Sequence, residues 1–308
     1  MKRLIYIFLL MVLVLTGCTQ GGNNDSNKTV SIIAPSGTPA LALTTYFTKE
    51  NVNYEIVGGS DPLVSAFTNA THDIIVAPVN LGAKLYKANG NYIHYKTIVW
   101  GNTYIVSKSS LSSLSELEGK TITAFGESST PGIVLKALLK YYNISCDITF
   151  VEDVATANSL LMSGQAEIVL SAEPSLSKIN ANKQLSIIDL QDEWKKMTGS
   201  YSYPQAAIFV KKEIYNNTVI QEHLKMLDDA IKDTLNPSDV ANVAVTIDET
   251  FSKLGVEVLT NAIPNCHYEL VEDEVSPIVA YFNILNDLGL SAMYGNTLPD
   301  ESFYAEKN

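Results

Sequence analysis

The chain has 308 residues, with 33 acidic against 21 basic side chains and a net charge of −12 at pH 7. So acidic a surface argues against nucleic acid and against adsorption to anionic lipid as partners. Three cysteines in a chain of this length make no disulfide framework, while the length suffices for a substantial core or two domains.

Lys2 and Arg3 precede an unbroken apolar run over residues 4–15, after which Thr16 and Gly17 lead into Cys18. A basic start, a short apolar stretch and small residues at the cut mark a secretory signal. Twelve residues rise only about 18 Å as a helix, too short for a hydrocarbon core of about 30 Å. The stretch Leu15-Thr16-Gly17-Cys18 resembles the lipobox of bacterial lipoproteins. That resemblance implies cleavage after residue 17, lipid on Cys18 and a place on the extracytoplasmic face of the cell membrane; an ordinary signal with a chance cysteine is the alternative. Cleavage would remove two bases and no acid, taking the charge from −12 to −14. Residues 18–28 then form a polar, Gly- and Asn-rich segment with nothing apolar to bury, expected to be a flexible tether.

From residue 29 short apolar runs alternate with amphipathic ones. Strands are predicted over 30–34, 54–57 and 73–77, helices over 40–49, 62–70 and 81–89, and extended chain over 92–100 and 104–107. The pattern then repeats, with strands at 121–125, 147–151 and 168–171 and helices at 133–142 and 155–162. Thr38-Pro39-Ala40-Leu41-Ala42-Leu43 aligns with Thr130-Pro131-Gly132-Ile133-Val134-Leu135 at an offset of 92, and Asp73-Ile74-Ile75-Val76 with Glu167-Ile168-Val169-Leu170 at 94. A further strand is expected at 203–210, followed by helices at 219–234, 239–253, 255–262 and 272–288. The expected fold is α/β: two similar lobes with mostly parallel sheets, joined by a two-strand hinge, with a helical C-terminal segment. Residues 29–104 with 205–308 form one lobe and 105–204 the other, with a ligand cleft between them.

The residues placed to line that cleft follow from strand ends. Ser36-Gly37-Thr38-Pro39 follows the first strand and opens a helix, with Thr38 expected as its N-cap; Ser129-Thr130-Pro131 repeats the device in the second lobe. Free N–H groups and the helix dipole at such points favour an acceptor-rich group, with ordinary capping as the alternative. Asn80 and Glu173 follow the third strand of each lobe, and Glu173 could accept from an amine or a ring N–H, or be a solvated first-turn glutamate. Trp100, with Asn102, lies on the first crossing, where its ring could stack on a planar ligand or pack on the returning strand. The candidate ligand-binding set is thus Ser36, Gly37, Thr38, Asn80, Trp100, Asn102, Ser129, Thr130 and Glu173.

Taken in order, residues 34–43, 74–81 and 117–122, with Ser129-Thr130-Pro131 and Ala172-Glu173-Pro174, resemble the solute-binding proteins of nitrate/sulfonate/taurine-type ABC importers. The resemblance covers most of residues 29–304. It implies the type II periplasmic-binding fold, closure of two lobes on a small solute and delivery to a membrane permease. Glu173 fits a zwitterion or a nitrogen heterocycle better than nitrate; a sulfonate stays within the family's range. A monomer is expected, with no cofactor and no resident metal. A solute sensor or a metal-delivery lipoprotein is the alternative. His72, His94, His223 and His267 are scattered, and no nucleophile elbow or phosphate loop occurs. A non-enzymatic role, with no catalytic residue, is therefore expected. Whether Cys146 and Cys266 pair is left open.

Overall fold

A computed structural model describes residues 28–181 and 184–306. The signal run, Cys18 and residues 19–27 of the expected tether lie outside the described residues. Among the described residues no helix is long and apolar enough to cross a membrane.

In chain order the first strands and helices are β1 (Val30–Pro35), α1 (Thr38–Leu41), α2 (Thr44–Phe47), β2 (Val52–Val57), α3 (Asp61–Asn69), β3 (Ile74–Pro78), α4 (Val79–Asn89) and β4 (Tyr92–Trp100). Next come β5 (Thr103–Ser107), β6 (Thr121–Phe125), α5 (Thr130–Tyr141), β7 (Asp147–Val151), α6 (Val154–Ser163), β8 (Ile168–Ala172), α7 (Ser175–Ile179), β9 (Ser186–Asp189) and α8 (Leu190–Thr198). The chain finishes with β10 (Pro204–Lys211), α9 (Thr218–Asp233), α10 (Pro237–Ile247), α11 (Glu249–Leu254), α12 (Val256–Ala262) and α13 (Val275–Asp287).

Two five-stranded sheets result, ordered β2-β1-β3-β10-β4 and β7-β6-β8-β5-β9. The α/β, two-lobed expectation holds, and the lobes share one plan. In each, the first three strands lie second, first, third and run parallel. The fourth place goes to a strand that has just crossed from the other lobe, β10 in one sheet and β5 in the other. Both crossing strands run antiparallel to their two neighbours, so each sheet is mixed. A parallel neighbour needs a long crossover helix on its own sheet, and a strand arriving from the other lobe has none. The chain passes between sheets at Gly101-Asn102 and returns between β9 and β10.

Two predicted helices are each split. The run expected over 40–49 divides into α1 and α2, because Leu43 leaves the helical region and the Thr44 hydroxyl bonds back to the Leu41 carbonyl at 3.3 Å. The run expected over 239–253 breaks at Asp248, whose backbone is extended and whose carboxylate accepts from the amides of Thr250 and Phe251, capping α11. An aspartate of that kind ends one helix by starting another.

The sheets are covered tightly. Gly82 of α4 lies so close on the Phe209 ring of β10 that a Cβ there would overlap the ring. Phe209 is fully buried and edged by Phe67 at 5.4 Å, so the ring has nowhere to turn. Gly82→Ala should therefore cost about 3 kcal/mol in urea denaturation, and a loss under about 0.5 kcal/mol would show the helix able to lift off the sheet. Trp194 of α8 packs on Tyr203 at 5.4 Å and on Tyr281 of α13 at 5.7 Å. The C-terminal helix thus leans on the second lobe as well as the first.

Candidate functional site

The C-terminal ends of β1, β2 and β3 face those of β6, β7 and β8, and three features are built there: a hinge, a sealed seam and an open cleft.

The hinge ties the two crossings together. Ser202 Oγ donates to the Trp100 carbonyl at 3.0 Å, and Thr103 and Tyr203 share a short hydrogen bond between their hydroxyls. The Thr103 amide and the Tyr203 hydroxyl both donate to Gln191 Oε1, at 2.9 and 2.6 Å. Gly101, at φ 106, must be glycine, since a Cβ would enter the side chains of Gln191 and Ser202.

The seam runs through Asn102. Its Oδ1 accepts from the Glu173 amide at 2.8 Å, and its Nδ2 donates to the Glu173 carbonyl at 3.2 Å and, in a short bond, to Thr38 Oγ1. Thr38 Oγ1 donates in turn to the Glu173 carbonyl at 2.7 Å. Thr38 therefore does not cap α1 as expected; Gly37 holds the cap position, and the threonine hydroxyl reaches across to the other lobe. Thr130 differs from expectation in the same way. Ser129 stands at the cap of α5 without a side-chain cap bond, and Thr130 Oγ1 lies 3.4 Å from both Asn80 Oδ1 and the Gln205 carbonyl of the first sheet. Asn80 is held from behind, donating to the Met293 carbonyl at 3.1 Å.

The C-terminal segment closes the seam. Tyr268 OH donates to the Thr38 carbonyl at 2.8 Å, the Trp100 amide donates to the His267 carbonyl at 3.0 Å, and Tyr104 OH of β5 donates to the Asn265 carbonyl at 3.0 Å. Cys266 is fully buried among these residues, where burial pushes its thiol far up. Cys146 and Cys266 are both free thiols.

Glu173 is the ionisable group of the seam, 6% exposed. Its carboxylate turns onto α7, accepting from the Ser177 amide at 2.9 Å and hydroxyl at 3.0 Å. Burial raises it from 4.5 to about 7, against the pull of Ser177. With the folded value above the unfolded one, its stabilising contribution is whole below pH 4.5 and is lost as the pH rises to about 7. Glu173→Gln keeps an acceptor for Ser177 and removes the charge. At pH about 8 the variant should be more stable than the parent by about 3 kcal/mol, with no advantage at pH about 4. Parallel melting curves across that range would refute the idea.

Outside the seam the lobes leave an open cleft of about 440 Å³, lined by residues 58–62, 126–129 and 150–152. These are the loops after β2, β6 and β7, at the strand ends where open α/β sheets take ligands. Ser36 and Gly37 adjoin it, the Ser36 amide bonding the Val57 carbonyl at 2.8 Å. Of the candidate residues, Ser129 lines this cleft, Ser36 and Gly37 stand beside it, and Thr38, Asn80, Asn102, Thr130 and Glu173 form the buried seam. Trp100 is 2% exposed, packed with no open face, its Nε1 without a hydrogen-bond partner among the described residues. Gly58-Gly59-Ser60-Asp61 and Glu152 carry no expectation in the sequence, although they follow the strands placed at 54–57 and 147–151, the second of which ends in Phe150 and Val151. Gln191, Gln205 and Tyr268 have no local pattern that marks them, and Cys266 was weighed only for its pairing with Cys146.

Residues 98–287 match the model of a family described as menaquinone biosynthesis. That match, to an enzyme family, corrects the expectation of a non-enzymatic role. The expectation rested on linear motifs, and a site assembled from strand ends of two lobes leaves none to find. Comparison with curated protein sequences gives no significant match. Among solved structures, an ABC transporter from Parabacteroides distasonis shares 17% identity over 91% of this chain and 100% of that one, at a TM-score of 0.77. The periplasmic aliphatic sulphonate binding protein SsuA from Escherichia coli shares 10% over 91% and 93%, at 0.70. The alkanesulfonate-binding protein SsuA from Xanthomonas axonopodis pv. citri, bound to MOPS, shares 16% over 88% and 94%, at 0.63. Identities this low establish the shared two-lobed periplasmic-binding fold.

Proposed function

The chain belongs to the menaquinone-biosynthesis family, and from that premise we propose that it encloses a small polar solute between its two lobes. On this reading lipid on Cys18 holds it at the outer face of a membrane, and closure about the tied crossings readies it for an ABC permease. The observation that carries the proposal is the cleft, framed by the C-terminal strand ends of two lobes with one plan and bounded by a hinge of two paired crossings. The solved structures of like fold that bind sulfonates support capture as the use of such a cleft. Lipidation is supported by the Leu15-Thr16-Gly17-Cys18 stretch.

The family match favours a second reading, in which the enclosed solute is transformed before release. Glu173, its carboxyl raised to about 7, would be the group able to take or give a proton at neutral pH.

Mass spectrometry of the solute released from denatured protein tests both. A solute recovered unchanged after prolonged incubation supports capture and delivery; conversion to a product of different mass supports the second reading. Affinity, read by thermal shift, should fall about tenfold in Thr130→Ala, which loses a contact across the lobes. Unchanged affinity in both Thr130→Ala and Ser129→Ala, the latter at a residue that lines the cleft, would sink the cleft assignment.

A further inference from the structure

Resting on the capture reading, we propose that the cleft takes an organic cation, an amine or a protonated nitrogen heterocycle, rather than an oxyanion. The walls carry the charges that decide this. Asp61, Glu127 and Glu152 line the cleft, one from each of its three loops, and no lysine, arginine or histidine lines it. Among the described residues Lys136 pairs with one of these acids, its Nζ lying 3.3 Å from Glu127 Oε1 and 4.7 Å from the Phe150 ring centroid.

Helix N-termini argue the other way, and their size can be set against the acids. The first turns of α3 and α5 approach the cleft, each equivalent to about half a positive charge. Together with Lys136 they offset about two of the three carboxylates, which leaves the cleft negative. Asp61 itself lies in the first turn of α3, so that helix end is already matched from within its own chain. Among the described residues no three His, Cys, Asp or Glu side chains are grouped to hold a metal ion.

The chain's composition points the same way. Its single arginine is Arg3, in the signal run, so the folded lobes contain no guanidinium at all. The planar fork that grips sulfonate, phosphonate or carboxylate with two parallel N–H bonds is therefore absent from residues 29–308. An amine or ring N–H donor, by contrast, meets carboxylate acceptors on three sides. The Phe150 ring at the same wall offers a face to a cation, as it already does to Lys136. The excess of acid over the whole chain draws cations toward the cleft and slows the approach of anions.

The test is calorimetry at low salt with two panels against the full lipid-free chain: spermidine, choline, lysine and thiamine, and taurine, MOPS, methylphosphonate and nitrate. The proposal expects binding in the first panel alone, weakening at least several-fold when salt is raised from 0.02 to about 0.3 M. The combined variant Asp61→Asn, Glu127→Gln, Glu152→Gln should lose roughly tenfold or more in affinity. These side chains are exposed, and unchanged melting would show the variant folded; the salt dependence of the parent stands on its own if it is not. Binding of the sulfonates or methylphosphonate as tight as that of any cation would overturn the class of ligand while leaving capture intact. Cation binding indifferent to salt and to the triple substitution would overturn it too. No binding in either panel would count against capture itself, and so against this inference with it.

Discussion

Asn102→Ala should cost the protein about 3–5 kcal/mol of folding stability, read by equilibrium denaturation. The side chain makes three contacts at the seam, two with the backbone amide and carbonyl of Glu173 and one with Thr38. Its loss strands the buried Glu173 amide, at about 1–3 kcal/mol, and removes two donated bonds at about 1 kcal/mol each. Alanine must also hold φ 93, a left-handed value that asparagine tolerates better. Because Asn102 joins the crossing to both lobes, the variant should also unfold less cooperatively, with the denaturant slope reduced. A loss under about 1 kcal/mol would mean that water replaces the side chain and that the seam is not held by it.

Gly132→Ala is the second large effect expected. Gly132 lies in the first turn of α5, and a Cβ there would press on the Gly126 carbonyl oxygen, with the Gly126 carbonyl carbon at 2.9 Å and Glu127 Cα at 3.0 Å. These are backbone atoms, so no rotamer change relieves the overlap, and the 126–129 loop itself must shift. The same loop walls the cleft, and the Gly132 amide bonds the Gly126 carbonyl at 3.1 Å. Stability should fall by about 2–3 kcal/mol, and solute affinity should fall with it. Gly58→Ala is the matched control: it also borders the cleft, but nothing lies within 4 Å of its Cβ position, so stability should hold within about 0.5 kcal/mol. Equal losses in the two variants would refute an argument from local crowding.

Much of the architecture was legible because apolar periodicity is local. Ile74–Ala77 reads as a buried strand and is one, and the paired Thr-Pro steps at Thr38 and Thr130 do mark equivalent helix starts in the two lobes. What the threonine hydroxyls do was not legible. Capping depends on neighbours within four residues, whereas Thr38 bonds Glu173, 135 residues away, and is bonded by Tyr268 at a separation of 230. Glu173 shows the same split. Its carboxylate makes the first-turn contact with Ser177 that a local reading allows, while its backbone carbonyl accepts the interlobe bond from Thr38. Trp100 was placed on the right crossing, but a crossing strand paired with Pro204 buries its residues rather than offering them to a ligand. The cleft residues at the ends of β2 and β7 were missed because Gly58-Gly59-Ser60 and Glu152 carry no pattern; only the facing of the two sheets gives them a cleft to line. The split at Asp248 was available locally, since an aspartate two and three residues before free amides is a capping signal.

The place of β10 bears on how the molecule is made. That strand fills the gap between β3 and β4, yet it is encoded after every strand of the second sheet. A chain emerging from its N-terminus can complete β5 to β9 from one continuous stretch and close that sheet at once. The first lobe meanwhile holds β3 with one ladder edge unpaired, a row of free amides and carbonyls open to another chain. Assembly should thus be ordered against the sequence: the inner lobe first, the N-terminal lobe only when residues 204–211 return to it. Truncations ending before β10 should leave a folded second lobe attached to a sticky, incomplete first one, and aggregation in the cell should begin there.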